Sequence, residues 1–263
     1  MCPTSAEGPA RWPRPLAWLL LQGLLLWLLL LCVLWNGLAL LLYPLLPAST
    51  GQRLGRQVVS RGFAMFWRLT AACGVLHVRV QGQPQGLDSL RKEPGLVVVA
   101  NHPSLLDAMV LVAHLPRCAC VMKASVMRNP LLGPGALLAR HIRNDSAWGM
   151  VQRAVTDLRG GGQLLLFPEG TRTQHPPVNP FNGSFTLIAK RAQAPIQAVF
   201  IDTDSPYLGK GWPLWKLPPL PICFDVRLGQ RFAPADDHET QRSEIEAYFA
   251  AGVRLGPLAG RGG

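Results

Sequence analysis

The sequence predicts an α/β protein: a mixed, largely parallel β-sheet covered by helices, entered through an N-terminal membrane helix and a basic amphipathic interfacial helix. Three observations carry this. Between Arg14 and Arg53 there is no Asp, Glu, Lys or Arg, and Leu16 to Leu42 is nearly unbroken leucine. From Leu76 onward, short apolar runs alternate with helix-length segments, the pattern of strands separated by covering helices. With 263 residues, 49% of them hydrophobic, the chain suits one sizeable α/β domain plus a membrane segment and is too short for two large domains. Three parts are therefore expected: an anchor over 1–50, a basic interfacial helix over 51–74 and a main domain over 75–263.

A helix over Leu16 to Leu42 would be about 40 Å long against roughly 30 Å of hydrocarbon. It either spans with tilt or leaves into the interface before Pro44 and Pro47 stop it. The run is too long for the core of a cleaved signal peptide and no small-x-small site follows, which favours a retained anchor, single-pass or monotopic. Asn36 and Gly37 are poor helix-interior residues, so a hairpin breaking there is the alternative to one continuous helix. Gln52 to Ala72 then interleaves Arg53, Arg56, Arg61 and Arg68 with Leu54, Val58, Val59, Phe63, Phe66, Trp67 and Leu69. Basic charge beside bulky apolar side chains suits an anionic membrane surface; a helix packed on the main domain is the other reading. These four arginines outnumber Arg11 and Arg14 before the apolar run, which places the main domain on the cytoplasmic side, at the inner membrane in a bacterium.

In the main domain the predicted strands are Leu76 to Val80, Leu96 to Ala100, Ala119 to Lys123, Gln163 to Phe167, Ile196 to Ile201 and Ile222 to Leu228. The predicted helices are Ser104 to His114, Leu131 to Arg140, Ser146 to Arg159, Ser184 to Ala192 and Glu239 to Arg254. Gly160, Gly161 and Gly162 stop the third of these helices. They lack the Lys-Ser/Thr pair of a phosphate loop.

A formal charge of +11 and a pI near 10.1 suit an anionic lipid surface or an acidic carrier. Nucleic acid is the weakest of the partners such charge suits and is not expected here, since there is no zinc-finger spacing, RNA-recognition aromatic signature or long Lys/Arg tail. Cysteines at 2, 32, 73, 118, 120 and 223 form neither metal-ligand spacing nor a disulfide-dense framework, so reduced structural thiols and no metal are expected.

The chemistry concentrates at two strand ends. Val97 to Asp107, VVVANHPSLLD, runs an apolar strand into Asn101 and His102 and opens a helix at Ser104. A histidine and an aspartate five positions apart at a strand-to-helix edge fit a general base and the carboxylate that orients it. Ser104 followed by Asp107 fits a capping box equally well. The second strand end is Phe167-Pro168-Glu169-Gly170-Thr171-Arg172, where a Gly permits close backbone approach and an Arg can grip a phosphate with two prongs.

These two blocks, in this order and behind a membrane segment, resemble the glycerolipid acyltransferase family typified by 1-acyl-glycerol-3-phosphate acyltransferase. The resemblance runs from about Leu76 to Leu228. It implies a glycerolipid-acyltransferase-like fold and His102 and Asp107 as the catalytic pair. It also implies an acceptor site from Glu169, Gly170, Thr171 and Arg172, with Arg140 or Arg143 supplying a further cation after Gly133. Two positions depart from the family pattern: Gln197 after Ala194-Pro195-Ile196, and Asn182 where Phe-Lys-Gly is usual, against Phe181-Asn182-Gly183 here. The implied reaction moves a fatty acyl group from acyl-CoA or an acyl carrier protein, as co-substrate, to the free hydroxyl of a lysophospholipid. The leading acceptor is 1-acyl-glycerol-3-phosphate, and no cofactor is needed. Rival readings are another lyso-lipid such as a lyso-ornithine lipid, a His/Asp lipid hydrolase, and a non-catalytic scaffold. No Gly-x-Ser-x-Gly elbow supports the serine version of the hydrolase.

Overall fold

The computed structural model describes residues 12–81, 86–203 and 205–254. Arg11 and Cys2 lie outside the described residues. The order of elements is α1 (Arg14–Leu42), α2 (Ala48–Ala72), β1 (Leu76–Val80), a 3-10 helix (Leu87–Lys92), β2 (Leu96–Ala100), α3 (Asp107–His114), β3 (Cys118–Met122) and α4 (Ala124–Met127). Then come α5 (Gly133–Leu138), β4 (Ile142–Arg143), α6 (Ala147–Arg159), β5 (Gln163–Leu166), α7 (Ser184–Ala192), β6 (Ile196–Thr203), β7 (Ile222–Phe232) and α8 (His238–Gly252).

The seven strands form one sheet in the order β1-β7-β6-β2-β5-β3-β4. β6, β2, β5, β3 and β4 run parallel to one another, and β7 pairs antiparallel with β6 and parallel with β1. The Leu-Val-Val-Val-Ala run of β2 is buried on both faces, as a central parallel strand must be.

The connections decide where a ligand can sit. β2 runs through α3 to β3 on one side, and β5 runs through α7 to β6 on the other. α3 packs with α1 and α2 in one apolar layer, through Leu21, Phe66, Trp67, Val110 and Leu111. α6, α7 and α8 pack in the opposite layer, through Val151, Phe185, Ile188, Ile245 and Phe249. Right-handed crossovers leaving adjacent strands in opposite directions must use opposite faces. A crevice therefore opens between the C-terminal ends of β2 and β5, the topological switch point of an open α/β sheet.

Several sequence expectations shift. α3 begins at Asp107 rather than Ser104, because residues 104–106 form a turn. β4, two residues long, and the short α4 and 3-10 helices carry too little periodicity to be read in advance. α1 is one continuous helix through Asn36 and Gly37. Asn36 is buried and bonded on both sides: Nδ2 donates to the Cys32 carbonyl (2.7 Å) and Oδ1 accepts the Gly135 N–H (2.8 Å) from α5. That bond explains an asparagine inside a leucine helix.

α2 corrects the picture of four lipid-facing arginines. Arg56 is 5% exposed; it donates to the carbonyls of Ala139 (3.0 Å) and Arg117 (2.8 Å) and pairs with Asp157 at 2.8 Å. Arg53, Arg61 and Arg68 remain exposed on the opposite face. The helix is thus at once the packed helix and the carrier of a basic stripe. Cys32, Cys73, Cys118 and Cys120 carry free thiols, whereas Cys223 is disulfide-bonded, a departure from the expectation of reduced cysteines throughout.

Gln197, the unexpected polar residue of β6, also has a physical reason. The β6–β7 register shifts between Gln197 and Val199, and the buried Gln197 amide donates to the Gly229 carbonyl (2.8 Å) while its oxygen accepts from Arg231 (3.1 Å). A bulge leaves ladder groups unpaired, and here the side chain takes one of them.

Candidate active site

β2 delivers Asn101 and His102 to the crevice. The buried Asn101 acts as a substitute strand partner: Nδ2 donates to the Ile201 carbonyl and Oδ1 accepts the Ile201 N–H, both at 2.8 Å. The end of β2 is thereby tied to β6 one residue before the histidine.

His102 Nδ1 lies 3.0 Å from Asp107 Oδ2. An ionised carboxylate only accepts, so Nδ1 carries the proton and Nε2 keeps its lone pair. Nε2 makes no hydrogen bond among the described residues. The imidazole stacks on Phe167, with centroids 4.1 Å apart and planes 20° apart, which fixes its second degree of freedom. Asp107 is fully buried, and the same Oδ2 accepts the Ser104 N–H at 2.7 Å. The capping and histidine-orienting readings of this residue therefore share one oxygen. Burial pushes the Asp107 carboxyl up from its ordinary value, opposed by the hydrogen bond and charge of His102 and by the Ser104 amide.

β5 delivers the second block. Gly170 sits at φ +67 in a tight turn whose N–H donates to the Phe167 carbonyl (3.0 Å), a conformation that favours glycine. Glu169 is 8% exposed, and its two oxygens are committed to the protein. Oε1 accepts the His102 backbone N–H (2.9 Å) and the Thr173 hydroxyl (2.9 Å); Oε2 accepts the Asn179 N–H (2.8 Å). The Thr173 N–H in turn donates to the His102 carbonyl at 2.8 Å. Both backbone polar groups of His102 are thus held by the block that follows β5. This corrects the expectation that Glu169 faces the acceptor: its geometry braces the histidine.

Arg172 Nη1 donates to the carbonyls of Leu208 (2.8 Å) and Gly209 (3.0 Å), and it forms no ion pair with Glu169. Its Nε and Nη2 form no bond among the described residues. The Thr171 side chain is half-buried beside it. Arg143 ends β4 on the same sheet edge, three strands from β2, or roughly 14 Å at ordinary strand spacing. It pairs with Asp145 at 2.5 Å. Arg140 is not brought to the site: it precedes β4, toward the opposite sheet edge, and its Nε reaches the Ala48 carbonyl (3.4 Å) at the start of α2. Gly133 packs its Cα against the Met127 carbonyl, where a Cβ would lie 2.2 Å away, so its role is close packing.

The bracing residues Thr173 and Asn179, the tie Asn101 and the ring of Phe167 were missed as site components in the sequence. Asn179 also holds the loop from within, its Oδ1 accepting the N–H groups of Gln174 (3.0 Å) and His175 (3.1 Å). Cys118 lies buried in β3, and burial pushes its thiol well up, away from the thiolate form a nucleophile needs.

Residues 81–202, which contain both strand-end blocks, match the profile of the family described as Acyltransferase. That segment of the chain is similar to the acyltransferase family. The lyso-ornithine lipid O-acyltransferase of Pseudomonas aeruginosa is 32% identical over 158 residues, 54% of this chain and 58% of that protein. A 1-acyl-sn-glycerol-3-phosphate acyltransferase of Limnanthes douglasii is 30% identical over 159 residues, 57% of this chain and 55% of that one. The chain thus spans little more than half the length of these relatives. The crystal structure of the 1-acyl-sn-glycerophosphate acyltransferase of Thermotoga maritima superposes with a TM-score of 0.64 over 90% of this chain and 93% of that one, at 17% identity, and shows a shared fold.

Proposed function

We propose that this protein is an acyltransferase that moves a fatty acyl group from a thioester, acyl-CoA or acyl carrier protein, to the free hydroxyl of a lysophospholipid, with 1-acyl-glycerol-3-phosphate as the leading acceptor. The single observation that carries the reading is His102, with Nδ1 held by buried Asp107 and Nε2 left open at the switch-point crevice. Nε2 removes the acceptor hydroxyl proton as the oxygen attacks the thioester carbonyl. The tetrahedral intermediate then expels the thiolate, which takes the proton back from the imidazolium as thiol. Asp107 stabilises the imidazolium meanwhile. A positioned base of this kind supplies about two to four orders of magnitude in rate. The unpaired edge of Arg172 is the group here that suits an acceptor phosphate.

A second acceptor has its own observation. Asn182, where a lysine is usual, is bonded within its own turn: its amide donates to the Pro168 carbonyl and its oxygen accepts the Ser184 hydroxyl, both at 2.5 Å. No cation stands there to meet a phosphate. This supports an uncharged or zwitterionic headgroup, and a lyso-ornithine lipid is what the Pseudomonas relative is named for.

The membrane anchor reads as monotopic. α1, 29 residues long, is tied to the domain just before its start by Trp12, whose Nε1 donates to the Cys73 carbonyl (2.8 Å), and within the helix at Trp18 and at Asn36. Ties to one domain near its start and toward its end support a helix that lies along that domain rather than leaving it to cross a bilayer. Its outer leucines, Leu19, Leu26, Leu30, Leu34 and Leu41 among them, are exposed and suit one leaflet.

The experiment is acyl transfer from labelled acyl-CoA and acyl carrier protein to a panel of lyso-lipids, with His102→Ala as control. Free fatty acid alone would assign a hydrolase, and no turnover on any acceptor a scaffold.

A further inference from the structure

The connection from Thr203 to Ile222 is longer than the ~12–15 residues beyond which structureless loops are uncommon unless functional. It is bonded near its start and at its tip to elements far away in sequence. Near its start the Ser104 hydroxyl donates to the Tyr207 carbonyl (3.0 Å), and Leu105 N–H and Arg172 both donate to the Leu208 carbonyl (3.0 and 2.8 Å). Tyr207 and Leu208 are buried there. Near its tip, Trp18 Nε1 and Gln22 Nε2 of α1 donate to the carbonyls of Trp215 (2.9 Å) and Leu214 (3.2 Å).

At this second anchorage the loop presents the side chains of Leu214 and Trp215, 54% and 72% exposed, with Lys216 held 4.5 Å over the Trp212 ring. Residues 205–221 contain no Asp or Glu, and Lys210 and Lys216 are both exposed. Indole rings, an aliphatic residue and ammonium groups side by side suit the headgroup region of a bilayer. The patch is continuous with the exposed leucines of α1 through the Trp18 and Gln22 bonds, and its charge is complementary to anionic lipid.

We infer that this loop is a second membrane-binding element, seating Leu214 and Trp215 in the interface of an anionic phospholipid bilayer and joining that surface to the Arg172 side of the crevice. This rests on the reading of α1 as a monotopic anchor. Bilayer contact at the tip then sets the height of Leu208 and Gly209, the two carbonyls that hold Arg172, so that a lyso-lipid enters from the leaflet beside the loop.

The test uses the full chain in phosphatidylcholine/phosphatidylglycerol vesicles whose acyl chains carry bromine as a fluorescence quencher. Subtracting the spectrum of Trp215→Phe from that of the wild type isolates the emission of Trp215. The expected result is a blue shift on vesicle binding and loss of that emission to brominated lipid, with the shift reduced in vesicles lacking phosphatidylglycerol. Trp215 emission that stays at its aqueous wavelength and ignores bromine, while the remaining tryptophans are quenched, would overturn the inference and leave the α1 anchor standing. Remaining tryptophans that also escape quenching would instead overturn the anchor reading and, with it, the inference. A Leu214→Ser/Trp215→Ser variant supplies the functional arm. It should lose rate on bilayer-embedded acceptor while keeping it on a short-chain lyso-lipid dissolved as monomers; equal loss on both would overturn the role in lipid entry.

Discussion

Glu169→Gln separates a bracing glutamate from a substrate-binding one. All three partners of the carboxylate are donors: His102 N–H and the Thr173 hydroxyl on Oε1, and Asn179 N–H on Oε2. A glutamine has one acceptor oxygen, so its NH2 must face a donor whichever way it turns. The orientation that loses less keeps oxygen toward His102 and Thr173 and leaves the Asn179 N–H facing a second N–H. Losing a charge-assisted hydrogen bond and stranding a buried amide together cost about 2–4 kcal/mol. For a chain of this size that lowers Tm by on the order of 10 °C. His102 is kept by a weaker, neutral bond, so kcat falls while the acceptor KM stays near the wild-type value, because no bond to the acceptor has been removed. Glu169→Ala, which removes all three bonds, must be worse on both counts. The assay is a melting curve beside steady-state kinetics with acceptor and thioester varied in turn. A Glu169→Gln protein with unchanged Tm and a selectively raised acceptor KM would refute the bracing argument.

Asp107→Asn keeps an oxygen for the Ser104 N–H but removes the charge that stabilises the imidazolium, so transfer should fall by two orders of magnitude or more with only about 1 kcal/mol of stability lost; a weakened but fully active protein would make Asp107 a helix cap only. Arg172→Lys keeps the charge and one donor to the Leu208 carbonyl while losing the guanidinium's second edge, so acceptor KM should rise ahead of any fall in kcat, and equal changes in both substrates' KM would assign Arg172 to holding the loop. His141, partly exposed at its rim, accepts the Cys120 N–H at Nδ1 (3.1 Å), and burial followed by the Arg56 charge lowers its pKa from 6.5 to about 4. The unfolded chain therefore takes up the proton first as pH falls: stability is full above about pH 6.5 and drops toward pH 4 by no more than roughly 3 kcal/mol, a slope that should vanish in His141→Gln if chemical denaturation is followed against pH. Neutralising Arg53, Arg61 and Arg68 to Gln should weaken salt-sensitive binding to anionic vesicles without moving Tm, whereas Arg56→Gln should lower Tm and leave binding alone; the reverse pattern would show that the helix is oriented the other way.

The central strands and the covering helices were legible because their signals are local. The unbroken Leu-Val-Val-Val-Ala of β2 and the cap Ser146, whose hydroxyl accepts the Gly149 N–H, need no distant partner to be read. Spacing alone likewise brought His102 and Asp107 together, since one tight turn separates them. What escaped is what depends on residues far away in sequence. Arg56 looks like its neighbours Arg53 and Arg61 until α5 and Asp157 are placed against it. Arg140 seemed available to the acceptor, but it stands at φ 53 just before β4, turned toward α2. Glu169 is an acidic residue in a reactive-looking motif, and nothing in the motif says that its donors are a backbone amide across the crevice and Asn179 ten positions on.

These distant partners also explain why two separate motifs can act as one site. A general base works only when held near its reacting atom. Asn101 fixes the end of β2 to β6, Glu169 and Thr173 fix the peptide of His102 to β5, and Phe167 and Asp107 fix its ring. Every one of these contacts joins β2 to a neighbouring strand or to the helix that follows it, so the geometry of the base depends on sheet register. Slipping β5 by one residue against β2 would turn Glu169 to the other face and break the brace and the ring stack together. The buried pairing of Val97, Val98 and Val99 with Leu164, Leu165 and Leu166 is therefore as necessary to His102 as the aspartate beside it, and a substitution deep in that ladder should lower kcat through the position of the imidazole before it unfolds the domain.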